Sequence, residues 1–153
     1  MTTKTGAEPI EAIGQVTAAN VHRDYGGRED AFKGQRTYED VYVSEWGKWY
    51  RVRGLTGIER DQYESSITIT ERDGSERINV KNARPKLLVV SVVDANDQLL
   101  FSMSDVPQLA KQPAAAIQKV FDVARRISGL STEVSREIDQ AFASAQNDDS
   151  TSD

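Results

Sequence analysis

From Tyr38 to Ser44 the chain alternates with the period of a half-buried strand: Val41 and Val43 fall on one side, Tyr42 and Ser44 on the other. The alternation resumes from Trp49 to Arg53, where Tyr50 and Val52 share one face and Trp49, Arg51 and Arg53 the other. Between them Glu45-Trp46-Gly47-Lys48 can reverse the chain, because Gly47 is free to take a positive φ. The pattern predicts a β-hairpin. Thr56-Gly57-Ile58-Glu59 then fits a capping box, with the Thr56 hydroxyl accepting from a free helical N–H and Glu59 reaching back. The helix that follows is expected to carry Ile58, Tyr63 and Ile67 inward and Glu59, Arg60, Asp61 and Glu64 outward. β-branched residues from Ser65 to Thr70 blur its end, and Asp73-Gly74 marks a turn.

The next apolar run, Leu87 to Val93, has the composition of a buried strand. Asn82 is nevertheless a good N-cap, and Pro85 would sit in a first helical turn, where its missing N–H costs nothing. We read 82–94 as helix, with strand as the alternative. Gln98 to Phe101 reads as a short strand or extended link, and Ser104 as the N-cap of a helical turn through Pro107. From Pro113 to Ser128 the apolar residues Ile117, Val120, Phe121, Ala124 and Ile127 recur on one helical face. Gly129 suits the residue just past the helix end, with Leu130 packing back. Ser131 is expected to cap a last helix, 132–146, striped by Val134, Ile138, Ala141, Phe142 and Ala145. Before the hairpin, residues 1–36 read as a poorly ordered arm, with a short amphipathic helix over Ile10 to Val21 and loop chemistry around Gly26-Gly27 and Gly34. Residues 147–153 read as a disordered acidic tail. The fold class expected is α+β: an N-terminal hairpin against a bundle of roughly four helices, in a domain spanning 37–130 with 131–146 as an added helix.

Composition narrows the chemistry. With 153 residues the chain is long enough to bury a core without staples. It has no cysteine, which removes disulfides, thiolate catalysis and cysteine-based zinc sites. The net charge of −5 and pI of about 5.0 count against nucleic acid as the main partner. Met1 to Pro9 has no apolar stretch, so no secretory leader is expected, and no run approaches a membrane span. His22 is the sole histidine and has no ligand or relay partners at usable spacing. Gly26-Gly27 and Gly54-Leu55-Thr56-Gly57 lack the spacing and following lysine of a phosphate loop, so turn geometry explains them. No catalytic set, cofactor site or metal site is read from the chain. Arg51 and Arg53 beside Trp49 resemble a nucleic-acid stacking platform in miniature, a reading the acidic balance weakens. The aromatic and apolar residues that remain as partner contacts are Trp46, Trp49, Phe121, Val134, Ile138 and Phe142. Trp46, at the hairpin tip, is either folded back or offered to a partner. The 132–146 stripe either docks on its own domain or serves as a helix-in-groove element.

The order of these segments resembles the tail assembly chaperone family of long-tailed bacteriophages. The likeness covers about residues 40–130. It runs through Glu45-Trp46-Gly47, Val52-Arg53-Gly54-Leu55-Thr56-Gly57-Ile58-Glu59-Arg60-Asp61, Asn79-Val80-Lys81-Asn82 with Leu87 to Asp94, and Leu100-Phe101-Ser102 with Asp105-Val106. It closes on Ala114 to Ile117 and Val120 to Leu130. The resemblance implies a non-enzymatic assembly factor that binds the tape measure protein, keeps it soluble and helps the major tail tube protein polymerise around it. Such a factor acts in the host cytoplasm and is absent from the mature virion. It also implies self-association or a longer form made by ribosomal frameshift. The alternatives are a structural tail-completion or connector protein and, more remotely, a small nucleic-acid-binding regulator.

Overall fold

A computed structural model describes residues 23–130 and 132–149. The expected helix over Ile10 to Val21, His22, the Ser131 cap and the tail from 150 onward lie outside the described residues. The chain divides into two units, Met1–Gln35 and Arg36–Asp153. In the first, a single helical turn, α1 (Arg28–Ala31), interrupts what reads as loop, with the Gly27 N–H donating to Asp30 at 2.8 Å.

The second unit is α+β, a small sheet with several helices. The hairpin forms as expected: β1 (Tyr38–Val43) and β2 (Lys48–Arg53) pair antiparallel, and Gly47 turns the chain at φ +65°. Val43 and Val52 are fully buried, while Tyr42 and Trp49 face out. Just beyond the ladder the Gly54 N–H donates to the Thr37 carbonyl at 2.7 Å. That bond fixes the phase of the register: Glu39–Val52, Val41–Tyr50 and Val43–Lys48 exchange hydrogen bonds, and the backbone groups of Tyr38, Asp40 and Tyr42 turn away from β2.

Helix α2 (Gly57–Ser66) starts on the expected capping box, with Thr56 N–H to Glu59 at 2.8 Å and Glu59 N–H to the Thr56 hydroxyl at 3.3 Å. Tyr63 and Ile67 are buried, but Ile58 is 72% exposed, contrary to the inward placement expected of it. Ile58 and Tyr63 are five positions apart, about 140° around a helix, so the two cannot share a face. Glu59 also departs from its expected solvent position and is half-buried. A second hairpin follows that the pattern does not predict, β3 (Thr68–Thr70) with β4 (Glu76–Ile78), turning through Gly74. The run 82–94 resolves into both alternatives. α3 (Ala83–Ser91) is helix, and Val92–Val93 leaves it as β5, pairing with Arg51 and Val52 to make the sheet order β1-β2-β5. Asn82 holds the cap position in the left-handed region at φ 64°, without a side-chain cap bond.

Ser102, not Ser104, caps the next turn: its N–H donates to Asp105 at 2.9 Å as the 3-10 turn Met103–Asp105 leads into α4 (Val106–Leu109). Pro113 sits one position before α5 (Ala114–Ile127), which buries Ala116, Ile117, Val120, Phe121 and Ala124 against the hairpin and α3. Its end is a Schellman closure, with Leu130 N–H to Arg125 O at 3.2 Å and Gly129 at φ +62°. Gly54 is held by a different constraint from turn geometry: a Cβ there would meet the Ile127 carbonyl oxygen at 2.7 Å. The last helix, α6 (Thr132–Asp149), runs three residues into the stretch read as tail. Its Ile138 is fully buried, and Val134 and Phe142 pack against the same core.

Candidate interaction surface

The sheet has one face covered and one face open. On the open face Trp49 is 69% exposed, its ring centroid 5.5 Å from that of Tyr42. The alternation of both strands and the four-residue turn place the two rings opposite each other as cross-strand partners. Beside Trp49 lies a shallow depression of about 490 Å³ lined by Val93 and Leu100 together with Asp40, Lys48, Arg51 and Asp94. Arg51 grips Asp40 through two bonds, at 2.9 and 3.3 Å. That bond is the main cause holding the Asp40 carboxyl below the usual aspartate value.

Trp46 does not project from the hairpin tip. It folds back edge-on to Tyr50, with centroids 5.1 Å apart, and its indole N–H donates to Gln112 at 3.2 Å. A second depression, about 470 Å³, opens between Trp46, Tyr50, Phe101, Leu109 and Gln112. Tyr50 borders both hollows. The same corner is tied to α5 by Lys119, which donates to Glu45 at 2.6 Å and Ser44 at 2.9 Å. The Lys119 bond is the first cause lowering the Glu45 carboxyl.

The other expected contact residues have different fates. Phe121 and Ile138 are at 0% exposure, so neither offers a surface to a partner in the folded chain. Val134 and Phe142 are half-buried on the core. The α6 stripe therefore docks on its own domain and is not a free helix-in-groove element. Arg84 clamps it, with its guanidinium 3.7 Å from the Phe142 ring centroid and 3.7 Å from Asp139. Arg125 adds a 3.4 Å contact to Asp139. Burial pulls Arg84 below the usual arginine value against the attraction of Asp139 and Asp122.

Arg53 and Arg51 are both paired within the chain. Arg53 reaches Glu59 at 3.1 Å and the Val90 carbonyl at 3.4 Å. Arg36 completes this cluster, bonding Glu59 at 2.6 Å and the Gly54 carbonyl at 3.0 Å. Burial pushes the Glu59 carboxyl up, yet the Arg36 and Thr56 hydrogen bonds and the Arg53 charge outweigh it and hold it at about 2. Among the described residues no group of three or more His, Cys, Asp or Glu side chains is placed to hold a metal ion. No helix of the described residues is long and apolar enough to cross a membrane.

Of the six expected contact residues, only Trp49 is prominently exposed. Tyr42 and Leu100 join it without having been singled out. Strand parity marks Tyr42, since it falls opposite Val41 and Val43 and across the turn from Trp49. Nothing in the local pattern marks Leu100. Compared with protein-family models, curated proteins and solved structures, the chain matches none.

Proposed function

We propose that the chain is a tail assembly chaperone of a long-tailed bacteriophage. It binds the tape measure protein in the host cytoplasm, keeps it soluble while the major tail tube protein polymerises around it, and leaves before the virion is complete. The order of segments from Glu45-Trp46-Gly47 to Ile127-Ser128-Gly129-Leu130 supports the family reading. The hairpin and the helices over 37–130 form its chaperone-like body, with α6 as an addition. The observation that carries client binding is the exposed ring pair Trp49 and Tyr42, with Trp49 bordering a hollow that Val93 and Leu100 help line. A protein that holds an aggregation-prone client needs an accessible apolar surface, and the exposed aromatic pair provides one. The net charge of −5 keeps such a protein soluble while that surface is open.

Mass spectrometry of purified particles beside the infected-cell lysate tests the reading. The chain is expected in the lysate and missing from particles. A stoichiometric presence in particles would instead make it a structural tail-completion or connector component.

A further inference from the structure

The hairpin leaves one ladder incomplete. The backbone groups of Tyr38, Asp40 and Tyr42 face the outer edge of β1, and no backbone bond reaches them from the described residues. The far edge of the sheet is closed by contrast. Beyond β5 the Leu100 N–H donates to Val92 O at 3.0 Å and the Asp94 N–H to Gln98 O at 2.8 Å.

Natural sheets defend their edges with short strands, lysines, prolines, bulges or unpaired charges. β1 has six residues, no lysine or proline, and pairs with β2 residue for residue, without a bulge. Its two charges are neutralised within the chain, Glu39 by Arg126 at 2.7 Å and Asp40 by Arg51 at 2.9 Å. Rings flank the edge on the open face, with Tyr38 41% and Tyr42 48% exposed and Trp49 beside Tyr42. Outward N–H and C=O groups that repeat about every 6.8 Å are matched by one chemistry, another extended backbone.

We propose that the outer edge of β1 accepts an extended segment of the client as a fourth strand of this sheet. Client backbone pairs with Tyr38, Asp40 and Tyr42, and alternate client side chains, apolar ones, lie over Tyr42 and Trp49. The proposal rests on the tape measure reading above and specifies the form in which that client is held. It selects segments with β-branched or aromatic residues at alternate positions and no proline in the paired stretch. Such segments are also the ones that aggregate through their own exposed backbone, so pairing that backbone keeps them soluble.

Residue-resolved amide hydrogen exchange tests this on the full chain, free and in its co-purified complex with the tape measure protein. In the free chain the Glu39, Val41 and Val43 amides are expected to be slow, and those of Tyr38, Asp40 and Tyr42 fast. In the complex the latter three are expected to slow at least about tenfold. Fast exchange there in a formed complex overturns strand addition and leaves client binding standing. Slow exchange there already in the free chain means the chain closes its own edge, and also overturns it. No complex at all overturns the tape measure reading and this proposal with it. Tyr42→Pro removes one outward N–H and none of the β2 bonds, and is expected to weaken the complex about tenfold. Tyr42→Thr keeps that N–H and is expected to cost less; equal losses from the two variants overturn backbone pairing.

Discussion

Glu59 carries two jobs at once. It closes the α2 capping box through Thr56 and receives Arg36 and Arg53 from either side. Its carboxyl is held at about 2, below its ordinary 4.5, so its ionised form stabilises the fold. The contribution is fully present above pH 4.5 and is lost as pH falls from there through about 2. It amounts to at most roughly 3 kcal/mol. Urea unfolding at pH 7 and pH 3 is expected to show a stability loss in the native chain that shrinks in Glu59→Gln. Trp49 is the opposite case, a large side chain that the fold hardly uses. Trp49→Ala is expected to change stability by no more than about 0.5 kcal/mol. Its affinity for the proposed client should fall by about 1–2 kcal/mol, as isothermal titration would read.

At the scale of elements, what the sequence discloses follows from how local each signal is. The hairpin, the Thr56–Glu59 box and the Gly129 closure involve residues within a few positions of one another, and all three form as the pattern predicts. β3 and β4 go unpredicted because three residues are too few to show a period. The 82–94 run is ambiguous for a real reason: it is helix up to Ser91 and strand at Val92–Val93, and both are buried. α6 outruns its expected end because the polar, acidic composition of 147–153 reads as tail. Gly54 looked like a turn residue, and only the fold reveals the Ile127 carbonyl against it. Gly54→Ala is expected to cost about 1–3 kcal/mol in denaturant unfolding, since that neighbour is backbone and must shift. An apolar helical stripe likewise does not disclose what covers it, which is why Phe121 and Ile138 could pass for contact residues. Ile138→Ala is expected to destabilise by about 2–4 kcal/mol. A change near zero would mean that α6 is not docked as described.

Among the described residues of the second unit, the apolar faces of α5 and α6 are turned inward, and the exposed ring pair Tyr42 and Trp49 lies on the sheet. Arg84, Arg125 and the core hold α6 on its own domain. The surface on which the proposed client binding rests is Trp49, Tyr42 and the hollow lined by Val93 and Leu100, together with the β1 edge. Half of that surface was legible, since strand parity exposes Trp49 and Tyr42. The other half was not, since Val93 and Leu100 reach it only through the crossing of β5 beside β2. The proposed role makes one demand of the intact chain, that it change the fate of its client. Co-expression of the chain with the tape measure protein, followed by separation of soluble and pelleted fractions, measures that directly. The account predicts that the tape measure protein moves into the soluble fraction and co-purifies with the chain. A tape measure protein that stays in the pellet, with the chain alone in solution, would contradict it.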